Sequence, residues 1–237
     1  SKVVFTADPA TGYQVKEWKV NSQVVAADDG TGLTYTIESL SAAATVTVEF
    51  EKVTYTLTYT AGANGSITGD SPQYIKYGED GSEVTAVPAD GYHFVKWSDD
   101  VDTAKRTDEN VTADITVTAT FAINEYTVTF KDWEDKTIGE PQTVEHGKGA
   151  SAPDVPARTG YTFTGWDKTF TNVTEDLTVT AQYSINTHAV TFSVPDGNGS
   201  LTAKVGETAI TSGDKVDHFS KVVFTADPAT GYQVKEW

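Results

Sequence analysis

The side chains best able to perform acid–base or metal chemistry are the four histidines, because the sequence contains no cysteine. They lie far apart, without the His-x-x-x-His spacing of a metal site, and no Ser or Asp recurs beside them as a catalytic triad requires. These histidines are His93, His146, His188 and His218. The Asp-Gly-Thr-Gly order of residues 29–32 breaks the Asp-Thr-Gly order of an aspartic protease and indicates a hairpin turn. We therefore predict no catalytic residue and no enzyme activity.

Acidic loops form a second group of candidates, for metal binding. Residues 196–207 place Asp, Asn, Ser and Glu as a calcium loop does, but Leu201 replaces the required Gly and Lys204 brings a positive charge to a ligand position. The acidic groups around Asp28, Asp99 and Asp102 suit either a weak surface calcium site or simple solvation. We predict no metal site and no cofactor.

Trp133 is the aromatic residue best placed to contact a ligand. It lies in the segment KDWEDK, among charged residues and outside every repeated block. A side chain in that setting can contact a glycan or a host protein, and it can equally pack against a neighbouring repeat. The sequence therefore leaves open a cell-surface binding module that recognises glycan or host protein through exposed aromatics.

The net charge of −17, from 17 basic and 34 acidic residues, argues against two classes of partner. Such a charge repels the phosphates of nucleic acid and the surface of anionic membranes. No apolar stretch approaches the roughly 18 residues that span a bilayer, so membrane insertion is not predicted. Because cysteine and methionine are both absent, stability must come from packing.

A block of the form Gly-Tyr-x-(Phe or Val)-x-x-Trp recurs four times, and a proline stands three or four residues before each copy. Pro followed by Gly is turn chemistry, so each block reads as a turn that leads into a strand. Recurrence at one strand position favours burial of the aromatic pair, because an aromatic ring removes a large apolar area from water. The predicted repeat-core residues are Tyr13, Trp18, Tyr92, Trp97, Tyr161, Trp166, Tyr232 and Trp237.

Strand-like segments flank these blocks, as in YTVTFK at 126–131 and LTVTAQY at 177–183. Their alternation of Thr with aromatic or β-branched residues has period two, which suits half-buried strands of a sheet. Long helical periodicity is absent, and only one-turn helices are predicted, at 38–42 and 151–155.

The first eighteen residues, SKVVFTADPATGYQVKEW, recur unchanged at 220–237, an offset of 219 residues. We interpret the chain as one period of a 219-residue repeating block. The repeats divide it into four parts. They are the first segment (1–52, the C-terminal part of a divergent repeat), the second repeat (53–124, divergent), the third repeat (125–186), and the last segment (187–237, the N-terminal part of a divergent repeat of the same type as 1–52).

Residues 126–183 resemble the internalin-type B repeat, also called the Listeria–Bacteroides repeat. The resemblance rests on the opening YTVTF, the block GYTFTGWDK at 160–168 and the closing VTEDLTVTAQY at 173–183. The other parts are similar to a divergent form of that repeat. The resemblance implies a mainly β chain of tandem small β-grasp-like (ubiquitin-like) modules with little helix, in extracellular, cell-surface proteins of Gram-positive and related bacteria. It also implies use as adhesin stalks or spacers, without catalytic residues.

Short linkers predict the way in which the modules are used. Only a few residues join the closing strand of one part to the opening strand of the next, and short linkers limit bending. We therefore expect an elongated rod that acts as a structural stalk or spacer of an extracellular fibre or adhesin. The expected partners are adjacent repeats, head-to-tail copies that complete the split segments into a polymer, and a host or neighbouring-cell surface.

Overall fold

The computed structural model describes every residue from Ser1 to Trp237, and its regular structure consists of β-strands only. The expected helical turns at 38–42 and 151–155 are absent. Pro153 and Pro156 lack an amide hydrogen and restrict the residue before them, and five residues at 38–42 are too few to repay helix nucleation. The chain divides into two compact units, Ser1–Asn124 and Glu125–Trp237.

Twelve strands form the first unit and nine form the second. In the first unit they are β1 (Val3–Thr6), β2 (Tyr13–Val20), β3 (Gln23–Val25), β4 (Thr34–Ile37), β5 (Val46–Lys52), β6 (Thr54–Ala61), β7 (Gly65–Thr68), β8 (Gln73–Lys76), β9 (Val84–Pro88), β10 (Tyr92–Trp97), β11 (Lys105–Arg106) and β12 (Ile115–Ile123). In the second unit they are β13 (Glu125–Lys131), β14 (Gln142–Glu145), β15 (Tyr161–Trp166), β16 (Leu177–Ile185), β17 (Thr187–Ala189), β18 (Gly199–Val205), β19 (Thr208–Ile210), β20 (Lys215–Asp217) and β21 (Val222–Pro228).

The second repeat packs a four-stranded sheet, order β10-β12-β6-β8, against a three-stranded sheet, order β11-β9-β7. Strands β6 and β12 are parallel neighbours, and Leu57 lies opposite Ile115. The alternation of Thr with apolar residues in both strands points one face inward. Leu57, Val84 and Trp97 are fully buried in the resulting core.

The third repeat has one four-stranded sheet, order β14-β13-β16-β15. Here too the first and last strands are parallel neighbours, with Val128 opposite Leu177. Val128, Phe130 and Val179 are buried, and Trp166 packs against this core.

The first and last segments hold smaller sheets. The first segment pairs β1 with β4 and has a sheet of order β3-β2-β5, while the last segment pairs β17 with β20 and has a sheet of order β19-β18-β21. Neither segment contains the parallel pair of strands that runs through the second and third repeats.

The repeated block has one register in each of the three places where it pairs with a strand. In β10, Tyr92 lies opposite Ile123 and Phe94 opposite Phe121, and a bulge at Val95 then brings Trp97 opposite Ala119. The block has the same shift in β15 and in β2. The extra residue of the bulge turns the Trp to the face that Tyr and Phe already occupy, which explains the spacing Tyr-x-Phe-x-x-Trp.

Candidate functional site

The Trp of the repeated block lies inside wherever its partner strand is present. Trp97 is fully buried, and its indole N–H donates a hydrogen bond of 3.0 Å to the carbonyl of Thr103. Trp18 is 4% exposed and donates at 2.8 Å to the carbonyl of Gly32. Trp166 is half-buried, with its ring edge to face with Phe130 at 4.9 Å. Rings held in this way contribute to a core.

The prediction that every Tyr and Trp of the block belongs to a core is wrong at three positions. Tyr13, Tyr232 and Trp237 are 41%, 59% and 79% exposed. The cause at the last two is the missing partner, because residues 233–237 form no strand and pair with nothing equivalent to β5, β12 or β16. The two remaining tyrosines of the signature, Tyr92 and Tyr161, are half-buried.

A buried arginine, which the sequence pattern does not reveal, organises the polar part of the second repeat. The Arg106 guanidinium donates to both carboxylate oxygens of Asp99 at 3.0 Å and to those of Asp108 at 3.1 and 2.6 Å. It also lies over the ring of Trp97, 5.3 Å from the centroid. The hydrogen bonds from Arg106 lower the pKa of Asp99. Burial first, and then the hydrogen bond to Asp108, raise the pKa of Tyr59. With its charges paired in this way, the cluster is a structural core element.

Trp133 sits in an aromatic cluster of its own repeat. Its ring lies edge to face with Tyr183 at 5.2 Å, and the guanidinium of Arg158 lies 5.1 Å from its centroid. The same guanidinium stacks on Tyr161 at 3.6 Å. Trp133 is half-buried, so part of the ring remains open to solvent while the rest is covered by Arg158 and Tyr183.

A single residue separates the closing strand of each part from the opening strand of the next, and we call these three the linker residues: Val53, Asn124 and Asn186. Each donates its amide to the carbonyl of the Gly that opens the preceding block. The acceptors are Gly12 at 2.9 Å, Gly91 at 2.8 Å and Gly160 at 2.8 Å. All three glycines have φ between 76° and 78°, the left-handed region that favours glycine.

Within each unit, the linker residue is also bonded to the part that follows it. The carbonyl of Val53 accepts from the amide of Tyr77 at 2.8 Å, and that of Asn186 accepts from His218 at 2.7 Å. A Cβ on Gly12 would overlap the Tyr77 ring, and one on Gly160 would lie 2.6 Å from the His218 ring. Each of these two junctions therefore consists of a glycine turn covered by an aromatic ring, with the linker hydrogen-bonded on both sides.

The histidines do not form one chemical site. His93 hydrogen-bonds Asn124 at 2.8 Å, while His146 contacts the ring of Tyr126. His188 and His218 are paired at 2.9 Å beside the second of these junctions. Each of the four lies in a structural contact with a neighbouring side chain, and none approaches a Ser or Asp in a triad arrangement.

Several carboxylates of the acidic loops, Asp99 among them, are bonded within their own loop or to a basic side chain. Asp29 accepts from the hydroxyls of Thr31 and Thr34, which lower its pKa, with Thr34 contributing most. Asp100 pairs with Lys96 at 2.7 Å. No group of three or more His, Asp or Glu side chains is arranged to hold a metal ion. The chain also has no helix of the length and apolarity that crossing a membrane requires.

Comparison with known families identifies the repeats. Residues 1–54, 55–125 and 191–237 each match the divergent InlB B-repeat domain, which together is more than half of the chain. The chain belongs to the divergent InlB B-repeat family. Residues 126–189 match the Listeria-Bacteroides repeat domain, so these B-repeats include one unit of the second type. The resemblance proposed for residues 126–183 is thereby confirmed.

Individual proteins are also similar to this chain in sequence. Internalin H of Listeria monocytogenes is 32% identical over 161 residues, 60% of this chain and 28% of the relative. A protein of Evansella cellulosilytica named as a membrane protein is 25% identical over 179 residues, 69% of this chain and 26% of the relative. The chain thus spans about a quarter of the length of these two relatives.

One solved structure is also similar to part of the chain. The SHIRT domains 3–4 of a streptococcal cell surface protein are 17% identical, with a TM-score of 0.23, and the match covers 56% of this chain and 98% of that one. The B-repeats and the relatives make this chain a tandem array of small β modules of the kind found in cell-surface proteins.

Proposed function

We propose that the chain is a stalk or spacer segment of an extracellular, cell-surface protein, built from β-grasp-like modules and periodic over 219 residues. The observation that carries the proposal is the linker residue, which is a single residue at every boundary and is hydrogen-bonded to the preceding glycine turn each time. A linker with no slack transmits orientation from one module to the next, and short linkers are what a stiff spacer requires. No group of three or more His, Asp or Glu side chains is arranged to hold a metal ion, and a spacer requires none.

Two further features support the proposal. The parallel pairing of the first and last strands in the second and third repeats is the arrangement at the centre of a β-grasp sheet. The net charge of −17 keeps neighbouring rods apart in solution and protects exposed strand edges from lateral association.

Small-angle X-ray scattering tests the rod directly. A compact domain of this length has a radius of gyration of about 18 Å, and we expect a value well above it, with the pair-distance distribution of a rod. A radius near 18 Å would refute the stalk proposal. A larger radius that falls steeply when the salt concentration rises would indicate a flexible, charge-expanded string and would also count against a stiff spacer.

The alternative, a binding module that recognises glycan or host protein through Trp133, has a narrower basis. The ring is half-buried, so part of it is accessible for stacking on a sugar, but Arg158 and Tyr183 pack against it. The experiment compares glycan-array binding of the chain with that of Trp133→Ala. If Trp133→Ala abolishes binding without changing the melting temperature, the result favours the binding module. If neither chain binds any glycan, the result favours the spacer.

A further inference from the structure

The last segment has the architecture of the first half of a complete repeat. Strands β18 and β21 pair from Gly199↔Pro228 to Thr202↔Thr225, just as β7 and β9 pair from Gly65↔Pro88 to Thr68↔Thr85. The amide of Phe192 donates to the hydroxyl of Ser212 at 2.8 Å, as the amide of Tyr59 does to Ser71. Phe192 therefore occupies the position of Tyr59, a residue of strand β6.

The first segment has the architecture of the second half. Strands β2 and β5 share the register and the bulge of β10 and β12. Phe5 lies opposite Tyr35 as Val84 lies opposite Arg106. These correspondences place Val46 at the position of Val117 and Thr47 at the position of Thr118.

Each half exposes the apolar surface that the other half would cover. Val117 and Ala119 are 4% and 0% exposed in the second repeat, where β6 lies alongside. Val46 and Val48, at the same positions of the first segment, are only half-buried. In the last segment, the strand equivalent to β6 stops at Ala189, and the five residues that follow have no parallel neighbour.

The duplicated eighteen residues show the same difference between the two halves. Trp18 is 4% exposed in the first segment, whereas Trp237, in an identical sequence, is 79% exposed. The first segment supplies the strand β5 and the Gly32 carbonyl that hold this Trp, and the last segment supplies neither.

We propose that the first segment of a second copy of this chain completes the last segment, closing one repeat across the two copies. Residues 44–48 of the second copy, which lead into and begin strand β5, add in parallel beside residues 190–194, with Val190↔Ala44 and Phe192↔Val46. This register follows from Leu57↔Ile115 and Val128↔Leu177, two pairs that occupy the same positions in the second and third repeats. The proposal rests on the stalk function and states how stalk segments are joined.

The duplication supplies the exchange that this addition requires. Strand β1 of the incoming copy carries the sequence of β21, so it can replace β21 beside β18 with the same residue pairs. It arrives already bonded to β4, and residues 220–237 of the first copy are released. The contact is heterologous, and repetition extends the assembly head to tail.

Sedimentation of the unmodified chain is the first test. We expect species heavier than the 25.5 kDa monomer that grow with concentration, and we expect Val46→Asp to remain monomeric because a carboxylate then faces Phe192. If the unmodified chain is still monomeric at about 100 μM, its affinity for a second copy is too weak to join segments, and the proposal is overturned. The radius of gyration of the Val46→Asp monomer tests the stalk function separately.

Disulfide trapping tests the register. Because the sequence contains no cysteine, no native thiol can form a competing disulfide. Ser193 and Thr47 correspond to Thr60 and Thr118, whose hydroxyl oxygens are 2.7 Å apart on the exposed face. Chains carrying Ser193→Cys are mixed with chains carrying Thr47→Cys, and the control mixture replaces Thr47→Cys with Glu51→Cys, four residues further along β5. We expect heterodimers on the order of tenfold faster in the first mixture. Equal rates in the two mixtures would overturn the register and, with it, the proposal.

Discussion

The junction between the first segment and the second repeat depends on the absence of a side chain at Gly12. This glycine has φ +78°, and a Cβ there would overlap the ring of Tyr77. Gly139 has φ +71° with nothing within 4 Å of its Cβ position. Alanine at Gly139 therefore introduces the backbone strain alone, and alanine at Gly12 introduces the strain together with the displacement of the ring.

The expected magnitudes follow from these contacts. A left-handed alanine costs about 1 kcal/mol, which is the whole effect of Gly139→Ala. In Gly12→Ala, moving the Tyr77 ring aside exposes on the order of 50 Å² of apolar surface, about 1.3 kcal/mol. Weakening the bond from the Val53 amide to the Gly12 carbonyl adds about 1 kcal/mol. The Gly12→Ala junction is thus destabilised by about 3 kcal/mol.

Hydrogen exchange followed by mass spectrometry measures this loss where it occurs. In Gly12→Ala, protection of the peptides that contain the amides of Val53 and Tyr77 should fall about a hundredfold. In Gly139→Ala, protection of the peptides around residue 139 should fall about fivefold. In a Tyr77→Ala background, Gly12→Ala should cost about 2 kcal/mol, because the backbone strain and the weakened hydrogen bond remain and only the contribution of the ring is gone. If Gly12→Ala costs the same with and without Tyr77, the ring does not hold the junction.

Three further predictions, made from five substitutions, have defined outcomes in urea denaturation of the full chain. Arg106→Met should destabilise the second repeat by about 2–4 kcal/mol, because it leaves two carboxylates unpaired. The control Lys105→Met breaks an exposed ion pair and should cost below about 1 kcal/mol. Equal costs of the two substitutions would contradict a structural role for the Arg106 cluster. Trp97→Ala should cost about 3–5 kcal/mol and Trp237→Ala less than about 0.5 kcal/mol, so a large cost at Trp237 in the monomer would contradict its exposure. Because the pKa of Asp29 is lowered in the folded state, this carboxylate stabilises the fold fully above its pKa in the unfolded chain, and the stabilisation is lost as pH falls through the lower pKa of the folded state. In Asp29→Asn, the free energy of unfolding should therefore fall less steeply with decreasing pH below about pH 4. An unchanged slope of the unfolding free energy against pH would contradict this prediction.

The sequence identified the repeated elements well because their signal is local. The Pro-Gly turn, the alternation of Thr with apolar residues and the Tyr-x-Phe-x-x-Trp spacing are each visible within a few residues, and the strands that they predict are present. The bulge that explains the spacing was not predictable in the same way. Whether Val95 is the extra residue depends on the partner strand, which lies more than twenty residues away.

Contacts between distant residues account for what the sequence did not reveal. Arg106 meets Tyr59 only through the fold, and Gly12 meets Tyr77 only across a module boundary. The prediction that Trp237 is buried was wrong because the sequence of a strand does not show whether its partner strand is present. The helical turn predicted at 151–155 is absent because Pro153 lacks an amide hydrogen and restricts the backbone of Ala152.

The parallel pairing of first and last strands has a mechanical consequence for a chain that joins two surfaces. Tension on the second repeat pulls on β6 and β12 in opposite directions along their length, because these parallel neighbours carry its two ends. Their hydrogen bonds are then loaded together in shear, and they cannot open one at a time. Strands β13 and β16 place the third repeat under the same type of load. Each repeat is thus built to resist extension along the direction in which the chain would transmit force.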